Sequence, residues 1–486
     1  VGPSWLACRD EFTKLARIKT ELKAHQQRVV DRMLEEGRPG LLVAHGLGSG
    51  KTLTSIATQE ALGLPSTVIV PASLRANYQK ERNKHIVGTS PEAALTSMQR
   101  VALRGTVPVA PMAIIDEAHR AREIDTKTYK ALQAGLQPMQ KRMLLTASPF
   151  YNRPSDVASL INLAANEHIL NASESAFNQK YVRERMVKPG IINRLRGVKP
   201  GIVKELNPKA RGELQQVFRQ WVDYHPNNTE GFPEVSREVV KVPMTKPQLK
   251  LYDAVLGEAP PWVKHKMKAG LPPSKSESKD LNAFMTAVRQ VSLSTRAHAP
   301  DQRPEEPKIE AAFQNMQSEL ASNKRSKGVV YSNYLETGLE PYKERLRKAK
   351  IPFGEFTGQL KKQERDQLVD DYNTGKKRVL LLSSAGGEGL DLKGTRLMQV
   401  MEPHWNAEKI KQVEGRGIRY MSHDHLPKNE RNVRIQNYLA TRPRAGLLES
   451  LRLKKPGGGS DEYLTMMSGQ KQELINQFQG LMANEG

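Results

Sequence analysis

Residues 41–52 read LLVAHGLGSGKT, and the fold turns on how that stretch is understood. The apolar run Leu41 to Ala44 has the length and composition of a buried parallel strand, and TLTSIATQEAL after Lys51 has the spacing of a packed helix. A glycine-rich turn between such a strand and helix aims backbone N–H groups at one point, where the helix N-terminus also favours negative charge. Gly48, Ser49 and Gly50 would then cradle the phosphates of a nucleotide. Lys51 would reach the β- and γ-phosphates, and the Thr52 hydroxyl would ligate magnesium. His45 stands where the pattern G-x-x-x-x-G-K-[ST] asks for glycine, so the pattern is complete only from Gly48 to Thr52. A strand-to-helix connection with a solvated lysine is the alternative these letters leave open.

Around this turn the first 165 residues alternate strand-like and helical runs. TVIVPAS (Thr67 to Ser73), MAIID (Met112 to Asp116) and RMLLTAS (Arg142 to Ser148) predict further strands of one parallel sheet covered on both faces. Ligands of such sheets sit at the carboxyl ends of the strands, where these runs turn polar. In MAIIDEAHR, Asp116 ends a strand and is placed to hold the magnesium touched by Thr52. Glu117 beside it is placed to orient or deprotonate an attacking water. A helix cap is the other use for such an acid pair.

From about Asn166 to Glu306 no comparable strand series is evident, and basic residues dominate two loop-like stretches, RERMVKPGIINRLRGVKPGIVKE and EAPPWVKHKMKAGLPPSKSESKD. A second alternating series starts near Lys327 with GVVYSN, PFGEFTG, RVLLLSS, RLMQVME and RIQNYLA. Between the first two, Leu335, Leu339, Tyr342 and Leu346 predict one helical face. PGGGS then makes a joint, followed by a helix from about Asp461 whose Leu464, Met467, Leu474, Phe478 and Leu481 form a core stripe. The predicted organisation is a first lobe over 1–165, a basic, mainly helical insertion over 166–306, a second lobe over 307–445 and a C-terminal linker and packing helix over 446–486.

The chain of 486 residues has room for about three domains. It is 38% hydrophobic with no apolar run near 18 residues, which predicts a protein without a membrane span. Its N-terminus, VGPSWLACRDEF, lacks a charged-then-apolar leader and an initiator Met, as a processed or excised end would. Cys8 is the only cysteine, which excludes an intrachain disulfide and fits a reducing, intracellular setting. Lys and Arg number 75 against 52 Asp and Glu, a formal charge of +23. A polyanionic partner, nucleic acid above all, accounts for that excess; a basic but merely soluble surface is the alternative. No lysine-rich amphipathic helix with a bulky apolar face points to a membrane.

AHGLGSGKT, DEAH at Asp116 to His119 and LLTASPFYNRPSD resemble motifs I, II and III of superfamily 2 helicases and translocases. LKAHQQ resembles their glutamine motif, which places Gln26 on the adenine base. VIVPASLRANYQKE resembles motif Ia with the N-x-x-x-E tail, Asn77 to Glu81, of Swi/Snf-type translocases. In the second lobe GVVYSNY resembles motif IV, FGEFTGQLKKQERD the next Swi/Snf-type block, LLLSSAGGEGLDL motif V and QVEGRGIRY motif VI. GRGIRYMSHDHLPKNERNVRIQNYLA and SDEYLTMMSGQKQELINQF resemble the nucleoside triphosphate phosphohydrolase and early transcription factor helicases of poxviruses and other large DNA viruses and phages. Motif V is one residue shorter than the common Swi/Snf form.

The resemblance implies an α/β fold of two RecA-like parallel-sheet lobes and a nucleic-acid-dependent ATPase using ATP and Mg2+, most simply a duplex DNA translocase. It implies that Arg416 and Arg419 complete the site on the triphosphate, with Gly389, Asp391 and Gln412 as further nucleotide contacts. It assigns Ser73, Arg75, Asn333, Thr357, Gly358 and Ser384 to nucleic acid. The intracellular partner would be nucleic acid, duplex DNA favoured, with an unspecified recruiting protein and no membrane. A strand-separating DNA or RNA helicase is one rival; a non-catalytic nucleic-acid-binding protein with a vestigial nucleotide site is the other.

Overall fold

The computed structural model describes residues 17–195, 198–227, 230–274, 277, 281–356, 358, 360–383, 390–404, 407–443 and 458–483. Its chain divides into two compact units. The first comprises Val1–Arg183, Glu205–Thr229 and Glu473–Gly486, and the second Glu184–Lys204 and Glu230–Gln472.

In the first unit β1 (Gly40–His45), β2 (Ser66–Val70), β3 (Ala93–Ser97), β4 (Met112–Ile115) and β5 (Lys141–Thr146) lie in one sheet, and β8 (Val222–His225) joins it beside β1. Between β5 and β8 in the chain, β6 (Val182–Val187) and β7 (Gly201–Leu206) form a separate two-stranded ribbon, of which Glu184–Lys204 belongs to the second unit. The order is β3-β2-β4-β5-β1-β8 with every pairing parallel. Every residue of β1, β2 and β4 is buried, the continuous apolar reading expected of strands covered on both faces. The helix Lys51–Leu62 stops at Gly63, whose left-handed backbone (φ 66°) turns its N–H onto Gln59 O at 2.9 Å.

The second unit repeats the architecture with β9 (Glu234–Pro243), β10 (Lys327–Tyr331), β11 (Phe353–Phe356), β12 (Val379–Leu382), β13 (Thr395–Val400) and β14 (Asn432–Thr441). Its all-parallel order is β11-β12-β10-β13-β14-β9. Helices Lys246–Gly257, Pro261–Ala269 and Leu281–Leu293 pack a satellite core around Tyr252, Val263, Met267 and Val288.

Two expectations need correction. The stretch 166–306 is not without strands: β8 extends the first sheet and β9 pairs with β14 over ten residues, Glu234 beside Asn432 through Pro243 beside Thr441. β8 is only four residues long, and β9 is an edge strand whose Glu234, Arg237, Glu238 and Lys241 hide the apolar signal while blunting the exposed edge. Leu335 is half exposed, off the face made by Leu339, Tyr342 and Leu346. The first turn there is wider than an α-turn, with Leu339 N–H donating to Tyr334 O five residues back at 3.1 Å, so the helical phase slips. In the last helix, Ser460–Ala483, Leu464 lies in the satellite core of the second unit, and Leu474, Phe478 and Leu481 are buried in the core of the first. Among the described residues no helix is long and apolar enough to cross a membrane.

Candidate active site

The loop from β1 into the helix Lys51–Leu62 bends through two left-handed residues, Gly48 (φ 73°) and Gly50 (φ 76°). A side chain at position 50 is excluded twice, by that backbone angle and because its Cβ would stand 2.4 Å from Gln26 Nε2. Ser49 Oγ donates to Gly46 O at 2.8 Å. Lys51 Nζ donates to His45 O and Gly46 O at 3.0 and 3.1 Å, arching over its own loop. Gln26 is buried beneath, its Nε2 donating to Ser49 O at 3.1 Å and Gly50 O at 3.4 Å while its Oε1 accepts from Lys23 N at 2.9 Å. Its amide is therefore committed to the loop backbone in this structure.

His45 occupies the place where the pattern asks for glycine, and the tertiary fold supplies the reason. His45 Nε2 donates to Asp223 Oδ1 at 2.7 Å, with both side chains fully buried. Arg28 adds a forked pair to the same carboxylate at 2.8 and 2.9 Å, and Arg32 a third contact at 3.1 Å. Burial alone would raise the Asp223 carboxyl, but the hydrogen bonds from His45 and Arg28 outweigh it and hold the group far below the usual carboxylate range. Burial also lowers His45, against the pull of Asp223.

His225 is lowered to about 4 by burial and by the neighbouring His25 and His45. Its ring stacks on His25 at 3.8 Å, and His25 Nε2 bonds Ser49 O at 2.8 Å. Gly46 N–H donates to His225 O and Leu47 N–H to Asn227 Oδ1, both at 2.8 Å. A Cβ on Gly46 would meet Asn227 Oδ1 at 2.3 Å and its backbone N at 2.5 Å. The need for a glycine has moved one residue along, to the point where the end of β8 grips the loop.

Asp116 follows β4, and its backbone N–H donates to Ile69 O at 2.9 Å. Burial and the neighbouring Glu117 push its carboxyl up to about 6, while Lys51 pulls it down. Burial lowers Lys51 in turn, and Glu117 and Asp116 oppose that. Lys51 and Asp116 keep partial solvent contact, yet enough protein surrounds their charged ends that desolvation dominates both.

Glu117 is left-handed (φ 51°, ψ 45°), a conformation that costs a glutamate about 1 kcal/mol or more and is found where a site demands it. Its Oε2 lies 3.3 Å from His119 Nδ1, which also bonds Thr146 Oγ1 at 3.2 Å. The His119 ring stacks on Tyr151, under the Arg122 guanidinium. The acid pair is thus wired to the end of β5. Among the described residues no group of three or more His, Cys, Asp or Glu forms a metal cage. A hydroxyl and one carboxylate, Thr52 and Asp116, are the hard-oxygen set that suits Mg2+ held mainly by substrate phosphates and water.

In the second unit Gln412 and Arg416 lie four residues apart on the helix Ala407–Gly417, which places them on one face. Arg416 is buried, and its backbone O accepts from Leu392 N at 3.1 Å. Arg419 is half-buried, with Nε donating to Gly415 O at 3.4 Å. Asp391 O accepts from Asn373 Nδ2 at 2.9 Å.

Asn333 donates Nδ2 to the fully buried Glu402 at 2.9 Å and accepts from the Tyr331 hydroxyl at 3.0 Å, so its amide serves the core of the unit. Arg75, in the first unit, donates to Leu95 O at 3.3 Å. Gly358 is exposed. Thr357, Ser384 and Gly389 lie outside the described residues, as does the side chain of Ser73.

Residues 106–296 match the family model of the SNF2-related domain, and residues 310–421 that of the helicase conserved C-terminal domain. A putative ATP-dependent RNA helicase of Acanthamoeba polyphaga mimivirus is 30% identical over 465 residues, covering 94% of this chain and 95% of the relative. The chain belongs to the SNF2-related helicase family. It is an ATPase of helicase type. A termination factor NPH-I homolog of African swine fever virus is 24% identical over 505 residues (83% of this chain, 70% of the relative). A RAD54-like DNA repair and recombination protein of Drosophila virilis is 25% identical over 466 residues (81% and 58%).

What sequence reasoning missed in this SNF2-related chain is the support of the phosphate loop: His25, Arg28, Arg32, Asp223, His225 and Asn227. The one signal was the departure at position 45, because a histidine beside the glycine loop after a buried strand demands a partner.

Proposed function

We propose that this chain is an ATP-driven motor that moves along duplex DNA without extensive strand separation. The observation that carries the reading is the left-handed turn at Gly48 and Gly50 that delivers Lys51 to the N-terminus of its helix, with Asp116 and Glu117 following β4 of the same parallel sheet. Lys51 binds the β- and γ-phosphates, and the loop N–H groups with the helix N-terminus take the remaining negative charge. Glu117, fixed by its backbone turn and by His119, accepts the proton of the attacking water. Thr52 and Asp116 would hold Mg2+, which when bound would supply positive charge toward the phosphates. Gln26 would read the adenine base only on releasing the Ser49 and Gly50 carbonyls that its amide now holds, with Gly389, Asp391 and Gln412 as further nucleotide contacts. Arg416 and Arg419 supply positive charge to the transferring phosphoryl group during turnover, a role worth about 10³ to 10⁵ in rate.

Duplex DNA is favoured by the SNF2-related match, by the motif III form TASPFYN with the Asn77 to Glu81 tail, by the +23 charge and by the DNA repair relative. Ser73, Arg75, Thr357, Gly358 and Ser384 are the proposed backbone contacts, whereas the Asn333 amide is taken up by Glu402 and Tyr331. Such contacts are sequence-tolerant, and binding should weaken with salt at a log–log slope of about −0.9 per phosphate. A strand-separating RNA helicase is the second reading, supported by the name of the mimivirus relative. ATP turnover compared across duplex DNA, single-stranded DNA, duplex RNA and no nucleic acid separates the two. Triplex displacement without fork separation is expected. Stimulation by RNA alone, or fork separation without triplex displacement, would overturn the duplex reading.

A further inference from the structure

The ribbon β6 to β7, residues 182–206, carries seven Lys or Arg against only Glu184 and Glu205. Its base is fixed. Arg183 pairs with Glu205 at 2.9 Å, Ile202 N–H donates to Pro273 O at 3.3 Å, and Lys266, fully buried and paired with Glu277 at 2.7 Å, donates to Pro200 O at 3.4 Å. Gly201 admits the close approach, since a Cβ there would meet Pro272 O at 2.6 Å. Farther out, Met186, Ile191 and Leu195 are 66%, 76% and 84% exposed, and Arg185, Lys188, Arg194 and Lys199 near them in the sequence are exposed as well.

Three large aliphatic side chains thus stand exposed within residues 186–195, Met186 on β6 and Ile191 and Leu195 one helical turn apart on the short helix Ile191–Leu195. The cationic side chains select a polyanion, and duplex DNA, the track of the proposed motor, offers aliphatic side chains an apolar surface where a base step is partly unstacked. Aliphatic side chains of Leu, Ile and Met inserted at a base step, with basic side chains on the flanking phosphates, are a way to grip a duplex by shape rather than by sequence.

We infer that the outer part of the β6–β7 ribbon is a duplex DNA contact in which Met186, Ile191 and Leu195 insert between base pairs while Lys188, Arg194 and Lys199 hold the adjoining phosphates. This rests on the duplex-motor reading and adds to it an element that grips the track. The ribbon takes no part in nucleotide chemistry, so basal ATP turnover is independent of it.

The test uses the full chain and a duplex of mixed sequence carrying 2-aminopurine, whose fluorescence rises on unstacking. Combined Met186→Ser, Ile191→Ser and Leu195→Ser should weaken binding about tenfold at an unchanged salt slope and abolish the fluorescence rise. Combined Met186→Leu, Ile191→Val and Leu195→Met should restore both. Combined Lys188→Ala, Arg194→Ala and Lys199→Ala should lower the salt slope by about 2 to 3, at about 0.9 per contact. Basal turnover without DNA should match wild type throughout, which also reports correct folding. Wild-type affinity and fluorescence in the serine variant, as expected if the apolar segment docks a protein instead, would overturn the inference and leave the motor reading standing. A wild-type protein that turns over ATP but is not stimulated by duplex DNA would sink both.

Discussion

The sharpest consequence of the structure concerns Asp223, a residue far from any recognisable motif. Replacing it with alanine removes the common acceptor of His45, Arg28 and Arg32 beneath the phosphate loop. Breaking a buried pair costs about 3–5 kcal/mol when the remaining charge stays buried. Arg28 is 47% exposed and can be rehydrated, so its share is small, whereas Arg32 is only 14% exposed and His45 is fully buried. A loss of about 3 kcal/mol follows, near the lower end of that range.

At about 2–4 °C per kcal/mol for a unit of this size, the melting temperature of the first unit should fall by about 6–12 °C. The depressed Asp223 carboxyl contributes its stability above the ordinary carboxylate pKa of about 4, so the full deficit appears at pH 7 and shrinks as pH falls below about 4 toward the folded value. Because β8 ends in His225 and leads to Asn227, whose acceptors fix Gly46 and Leu47, nucleotide affinity should fall by about tenfold, the equivalent of about 1.4 kcal/mol. Thermal melting with and without nucleotide, beside fluorescent nucleotide titration, reads both effects. Arg28→Ala, at about 1 kcal/mol or less, is the control. An Asp223→Ala protein melting within 2 °C of wild type, a shift of about 1 kcal/mol or less, would refute the bracing argument.

Lys51→Ala should weaken ATP binding, whereas Glu117→Gln should keep ATP bound and stop turnover, as equilibrium binding and steady-state kinetics will read; wild-type turnover by Glu117→Gln would remove its role as base. Arg416→Ala and Arg419→Ala should slow hydrolysis far more than they weaken DNA binding; equal losses in both assays would reassign them to the DNA backbone. Burial and Glu117 hold Asp116 up near 6, so between about pH 4 and 6 the folded state binds the extra proton and stability falls as pH rises through that window. Asp116→Asn should therefore melt higher than wild type at pH 7.5 without nucleotide while losing Mg2+-dependent turnover, and a lower melting temperature would contradict the assignment.

Much of this protein was legible in its letters because the informative interactions are local. A parallel strand buried on both faces must be continuously apolar, so β1, β2, β4 and β5 stand out, as do β10, β12 and β13. Glycines at φ 73° and 76° announce a tight loop, and the residues that follow are fixed by its geometry. Lys51, Asp116 and Glu117 were readable as candidates on those grounds, because the loop and the end of β4 that carry them are local features of the chain.

Edge strands, phase slips and braces belong to the tertiary structure. β9 carries charges on an exposed edge and pairs with a strand nearly two hundred residues away, Glu234 beside Asn432, so no short window shows it. Leu335 leaves its helical face through one wide turn that periodicity cannot register. The histidine at position 45 looked like a defect in a pattern. Only the fold, by bringing Asp223 within 2.7 Å of it and Asn227 against Gly46, turns that defect into the foundation of the loop. The physical reason is the same in each case: the energy of a buried charge or an edge pairing is decided by what approaches from elsewhere in the chain, and sequence order carries no distance.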